Sequence, residues 1–190
     1  MPSVAQICTM ALTLIGDQSV SDVDTPEDND RARACKVFYE PLRDSVLRAH
    51  PWGFAKRRVA LVETTVPTFG YGHAFTLPTS PYCLRVLEVD ETAPGSIAWT
   101  VEGRTLLADE AEMSILYIAR ITDSSQFDSL FVDALAARLA ESLAMALTKQ
   151  KTLIELCHAL YEQKLQEART MDGFEASTRQ VYSRDLLTVR

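Results

Sequence analysis

The sequence predicts an α+β protein that is mainly α: a helical bundle with an inserted small antiparallel β-sheet subdomain and an extended C-terminal arm. Three observations lead there. Apolar residues recur at helical spacing near both ends of the chain. Short strand-like runs, punctuated by Pro and Gly, fill residues 57–120 between them. The last stretch, 173–190, loses any period. Residues 1–172 read as one domain, within the size that a single hydrophobic core serves.

The first helix is predicted over 3–16. Ser3 and Gln6 form a capping box ahead of the stripe Val4, Ile7, Cys8, Ala11, Leu12 and Ile15, and Gly16 ends it. The acidic run SDVDTPEDND, residues 21–30, invites a calcium-loop reading that fails on inspection. Pro26 and Glu27 stand where such a loop needs a ligand and a glycine, and Arg33 stands at the closing glutamate. Thr25 as N-cap with Pro26 at the first helical position explains the run better, its acids favouring the positive end of the helix dipole. The second helix then spans 26–50, with the stripe Ala34, Val37, Phe38, Leu42, Val46 and Leu47 and a kink or short break at Pro41.

Pro51, Trp52, Gly53 and Phe54 follow. Pro51 ends the helix, Gly53 permits a turn, and the two aromatics plug the junction with the first strand, so these four residues read as a structural corner. The runs VALVE, AFTLP, LRVLEVD, AWTVEG, RTLLAD and SILYIAR make the β-rich insertion 57–120, with a hairpin turn at Glu102-Gly103-Arg104. Helical period returns over 123–148, through Phe127, Leu130, Phe131, Leu135, Leu139 and Leu143, with interleaved alanines that permit close helix contact. A second stripe runs over 151–171 through Leu153, Ile154, Cys157, Leu160, Tyr161, Leu165 and Ala168. One bent helix fits this pattern too, but two helices are the better reading.

Composition narrows function. The chain is 47% hydrophobic and 24% charged with a net charge of −7, which opposes a general affinity for nucleic-acid phosphates. The four cysteines, Cys8, Cys35, Cys83 and Cys157, lie far apart without a CxxC pair and read as buried thiols of a reduced, cytoplasmic protein. No signal peptide or membrane span is expected. P-loop, GxGxxG, GxSxG and HExxH motifs are absent from the sequence, so no enzyme activity, cofactor or metal is expected. His50, His73 and His158 are isolated. Cys157 and His158 are helix neighbours that face apart, and a Cys–His enzyme would need folding to join distant residues. The triplet Lys56-Arg57-Arg58 supports an alternative reading, a DNA-binding or packaging accessory protein, against the plainer one of a solvated strand entrance.

The order of the motifs carries more. HPWGFA (50–55) leads into KRRVALVE, then LPTSPYCLRVLEVD, AWTVEGRTLLAD and FDSLFVDALAARLAESLAMALT, with a polar tail. This series resembles the head-to-tail connector (adaptor) family of phages and prophages, which includes tail tubular protein A-like proteins. The resemblance covers Val4 to Ala168, with HPWGFA, Leu84-Arg85-Val86 and LFVDALAARLA its most distinctive parts. It implies a structural virion protein at the head-tail junction, present in the host cytoplasm before assembly. Such proteins form a ring, typically of twelve copies, under the portal protein and join it to the tail (nozzle) protein. DNA passes through the channel without specific binding. The resemblance also implies that residues 173–190 form a portal-docking arm. Phe174, Val181, Tyr182, Leu186 and Leu187 are its candidate anchors, with Arg179 and Arg184 as polar contacts.

Overall fold

The computed structural model describes residues 2–23, 29–65, 69–90 and 97–176. Among them are four α-helices: α1 (Val4–Leu14), α2 (Asp30–Ala49), α3 (Ser129–Leu143) and α4 (Lys151–Ala176). Seven strands lie between α2 and α3: β1 (Lys56–Ala60), β2 (Val62–Glu63), β3 (His73–Thr76), β4 (Cys83–Val89), β5 (Trp99–Glu102), β6 (Thr105–Ala108) and β7 (Ser114–Ala119).

These strands overturn the expected fold class. The described residues are mixed, 51% helical and 21% strand, with two antiparallel sheets of three and four strands in place of the one small sheet expected in a mainly helical bundle. The three-stranded sheet has the order β1-β7-β4 and the four-stranded sheet the order β2-β3-β6-β5. The physical reason is that β1 pairs with β7, far along the chain, Lys56 opposite Ile118, while β2 pairs instead with the nearby β3 of the other sheet, Val62 opposite Thr76. Leu61, between them, donates its N–H to Met113 O at 2.7 Å, so one extended segment changes sheet at a single residue. Only β5–β6 is a tight hairpin. Glu102 faces Thr105, and Gly103 takes the positive φ of +60° that a two-residue turn admits.

Helix α3 is the central element, touched by α1, α2 and α4. Phe131, Val132, Leu135, Ala136, Ala137, Leu139 and Ala140 are all buried, so it presents apolar surface on nearly every side. Its alanines let neighbouring helices approach. The N-cap of α3 is Asp128, whose carboxylate accepts from Leu130 N at 2.8 Å; the expected start at residue 123 is instead a separate short turn, Ser124–Gln126, capped by Asp123. A π-helical turn, Ala144–Thr148, and Lys149 at φ +56° close α3 and begin α4 as a second helix.

Local capping sets the other boundaries. At α1, Ser3 N donates to Gln6 Oε1 at 2.7 Å and Gln6 N donates to Ser3 Oγ at 3.3 Å, the reciprocal pair of a capping box. Helix α2 begins at Asp30 with Asn29 as its N-cap, accepting from Arg31 N and Ala32 N; Thr25 and Pro26, expected to start it, lie outside the described residues. It runs through Pro41 without a break. The ring cannot donate to Val37 O, four residues back, but both residues are exposed, where water can satisfy that carbonyl. Helix α4 continues to Ala176, so residues 173–176 are helical and do not begin an extended arm.

Candidate functional site

At the corner, α2 ends with Ala49, Pro51 follows, and Gly53–Ala55 form a 3₁₀ turn that feeds β1. Trp52 is 1% exposed, and its indole N–H donates to Val46 O at 2.9 Å, answering the polar atom of a buried aromatic. Phe54 and Phe131 pack against it, the Phe131 ring centroid 5.2 Å away in an edge-on arrangement, and Phe127 packs on both of those rings. The end of α4 closes over this cluster. Asp172 accepts from Gly53 N at 2.8 Å and contacts His50 Nε2 at 2.9 Å. Arg169 Nη2 donates to Ala49 O at 3.1 Å. A Cβ on Gly53 would stand 3.3 Å from Asp172 Oδ1 and press that carboxylate back by a few tenths of an ångström. The sequence reading did not anticipate that Asp172, so far along the chain, would hold this turn.

The triplet Lys56-Arg57-Arg58 forms the start of β1, at an edge of the three-stranded sheet. Arg57 turns back on its own chain, donating to Phe54 O at 2.9 Å and Lys56 O at 2.8 Å. The three side chains therefore do not stand as one free basic patch.

Another gathering of positive charge lies elsewhere. A cleft of about 690 Å³ opens between α2, β4 and the β5–β6 hairpin, and Arg48, Arg85, Arg104 and Arg120 all line it. Each comes from a different part of the chain, so no local sequence run reveals the cluster. Tyr82 lies between two of them, with the Arg104 guanidinium 4.0 Å and that of Arg120 4.3 Å from its ring centre. Arg104 is anchored, donating to Cys83 O at 2.7 Å, Leu77 O at 3.3 Å and Pro78 O. Arg48 donates to Leu84 O, and Arg85 donates to Arg48 O at 3.3 Å. Among the described residues, the single carboxylate lining the cleft is Asp44. It receives the buried Arg43 at 2.9 Å and lies 2.7 Å from Arg120 Nε, a charge contact without the alignment of a hydrogen bond. Among the described residues no carboxylate pairs with Arg48, Arg85 or Arg104.

The nucleophile candidates are packed away. All four cysteines are buried and free. The neighbouring Cys35 thiol, together with burial, pushes the Cys8 thiol up, and burial likewise raises Cys83 and Cys157. Each of the three histidines meets an acid: His50 meets Asp172, His73 meets Glu63 at 2.7 Å and His158 meets Glu141 at 3.2 Å. Among the described residues, no group of three or more His, Cys, Asp or Glu side chains is placed to hold a metal ion. No helix among them is long and apolar enough to cross a membrane.

Of the expected docking residues, Phe174 lies on the last turns of α4 with 69% of its surface exposed. Arg179, Val181, Tyr182, Arg184, Leu186 and Leu187 lie outside the described residues. No protein-family model matches this chain, and no curated protein matches it.

Proposed function

We propose that this chain is a structural head-to-tail adaptor of a phage or prophage, which forms a ring beneath the portal protein and joins it to the tail around the DNA channel. One observation carries the reading: the ordered series of motifs that resembles that family. Its three most distinctive parts fall on three joints of the fold. HPWGFA is the corner between α2 and β1. Leu84-Arg85-Val86 lies on β4 at the arginine cleft, and LFVDALAARLA is most of the central helix α3. Rings of identical subunits are built from heterologous contacts that close by rotation, which requires two unlike surfaces on each copy. The net charge of −7 suits a wall along which DNA slides without adhering.

Two other readings are served less well. A DNA-packaging accessory built on Lys56-Arg57-Arg58 needs those side chains presented together, and Arg57 is committed to backbone carbonyls. A cysteine-dependent enzyme needs an exposed thiol of lowered pKa, and the four thiols are buried.

Co-sedimentation with the portal protein encoded in the same genome tests the proposal. The full-length chain is compared with one ending at Ala176, which keeps α4 whole. Binding in fixed stoichiometry by the full-length chain alone is the expected result, and it would assign portal docking to residues 177–190. Binding by both chains would keep the function and move the docking surface onto the folded domain. Binding by neither would refute the adaptor reading.

A further inference from the structure

Strands β6 and β7, which are flanked by Arg104 and Arg120 of the cleft, carry opposite charge at their two ends. Arg104 immediately precedes β6, and Asp109 immediately follows it. Glu112 lies two residues before β7, and Arg120 immediately follows it. The β6–β7 connection, 109–113, therefore opens with an acidic turn, Asp109-Glu110-Ala111-Glu112, at the end of these strands remote from the two arginines. All four residues are exposed. Asp109 accepts from Gly72 N at 2.9 Å, while Glu110 and Glu112 make no ion pair among the described residues. At about 3.3 Å per residue, the turn lies roughly 16 Å from Arg104 along β6 and up to about 26 Å from Arg120 along β7. It does not reach the cleft of its own chain.

We infer that the arginine cleft receives the acidic β6–β7 turn of a second copy of this chain. This deepens the ring proposed above and rests on that reading. Four guanidiniums share one concavity, and among the described residues Asp44, which answers Arg120 and Arg43, is the single carboxylate there. Their mutual repulsion is relieved by incoming carboxylates, which guanidinium forks bind bidentately. Among the described residues, Glu110 and Glu112 are two carboxylates without an ion pair that stand together on one exposed turn of the same chain. A duplex is the poorer occupant, because a chain of net charge −7 repels it at range and the cleft is a concavity rather than a track for a phosphate backbone. The surfaces are not uniformly charged: Glu102 stands beside the cleft on the β5–β6 hairpin, and Arg58 lines a groove with Glu88 and Asp90 near the acidic end. Because cleft and turn are unlike surfaces at different ends of one chain, the contact is heterologous and propagates from copy to copy, as a ring requires.

Sedimentation velocity of the full-length chain over rising concentration tests this, at low salt and again at about 0.5 M, where charge attraction is screened within a few ångströms. The variants are R48E/R85E in the cleft, E110K/E112K in the turn, and the fourfold variant carrying all four changes. Arg104 and Arg120 are left alone because they anchor the hairpin and Asp44. Concentration-dependent association at low salt is expected, weakened at least about tenfold by either double variant and by high salt. The fourfold variant, with both charges exchanged, should recover to within about threefold, which a merely misfolded protein would not do. A wild-type chain that stays monomeric throughout would overturn the inference. So would association that ignores both double variants, or a fourfold variant as weak as either. Retardation of a duplex oligonucleotide that R48E/R85E abolishes would assign the cleft to phosphate instead. Portal co-sedimentation is read separately: a chain that binds the portal but never associates through this cleft loses this contact and keeps the adaptor function.

Discussion

The corner at residues 50–55 and the arginine cleft both abut α2, yet they treat polar groups in opposite ways. At the corner the Trp52 indole, the His50 ring and the Gly53 N–H are each answered within the chain, two of them by Asp172. In the cleft, Arg48, Arg85 and Arg104 meet backbone carbonyls and no carboxylate among the described residues. A site satisfied from within serves stability. A site that gathers like charges without neutralising them is built at a cost to stability, and such a cost marks a surface meant for something else. The presence of HPWGFA and Leu84-Arg85-Val86 in one motif series therefore conceals two different kinds of site.

The largest effect that would break this comparison lies at the corner. Trp52→Ala removes a side chain 1% exposed from between Phe54 and Phe131 and leaves a cavity that the helices around α3 cannot close. Equilibrium denaturation should show a loss of about 3–5 kcal/mol. A loss below about 1 kcal/mol would mean that the corner is not a stability element, and the contrast with the cleft would disappear.

A smaller effect sharpens the account of how the corner is held. Asp172→Ala deletes the acceptor for Gly53 N and the partner of His50 and should cost about 1–2 kcal/mol. Gly53→Ala crowds Asp172 Oδ1 in the wild-type chain, at 3.3 Å, and should destabilise it. In the Asp172→Ala background the crowding is gone, and the alanine should become neutral or slightly stabilising through the unfolded chain's lost freedom. Additive costs in the double variant would show that Gly53 is required for some reason other than the approach of Asp172.

What could be read from the sequence divides along the same line. Helices α1, α3 and α4 show in the chain because their stripes and caps are local: Ser3 with Gln6 caps α1, and the run from Phe131 to Leu143 repeats at helical spacing. The second sheet did not show, because β2 is two residues long and the pairings of β1 with β7 and β3 with β6 join segments far apart. Asp172 over Gly53 is invisible for the same reason. The cleft was missed more completely. Lys56-Arg57-Arg58 drew attention as a run of basic residues, whereas Arg48, Arg85, Arg104 and Arg120 are single basic residues in four separate segments that only the fold unites. Charge seen as a run tends to belong to one solvated strand face, and charge gathered from several elements has to be held together by the structure. The sequence offered one faint sign, that Arg48 and Arg85 both lie in or beside motifs of the resemblance.

The smallest effect decides what kind of cleft it is. Arg85 is exposed, and its guanidinium's hydrogen bond to Arg48 O is 3.3 Å long. If the four arginines form a structural network, Arg85→Ala should lose more than about 1 kcal/mol. If they form a presented site, the substitution removes one of several converging like charges, and the sign reverses. Stability should then stay within about 0.5 kcal/mol of wild type and lean towards stabilisation at low ionic strength. That gain should fade as salt rises, because it comes from relieved repulsion and not from packing. A salt-independent loss would make the cleft a second corner; a small gain that salt erases would make it a surface kept ready for carboxylates from outside the chain.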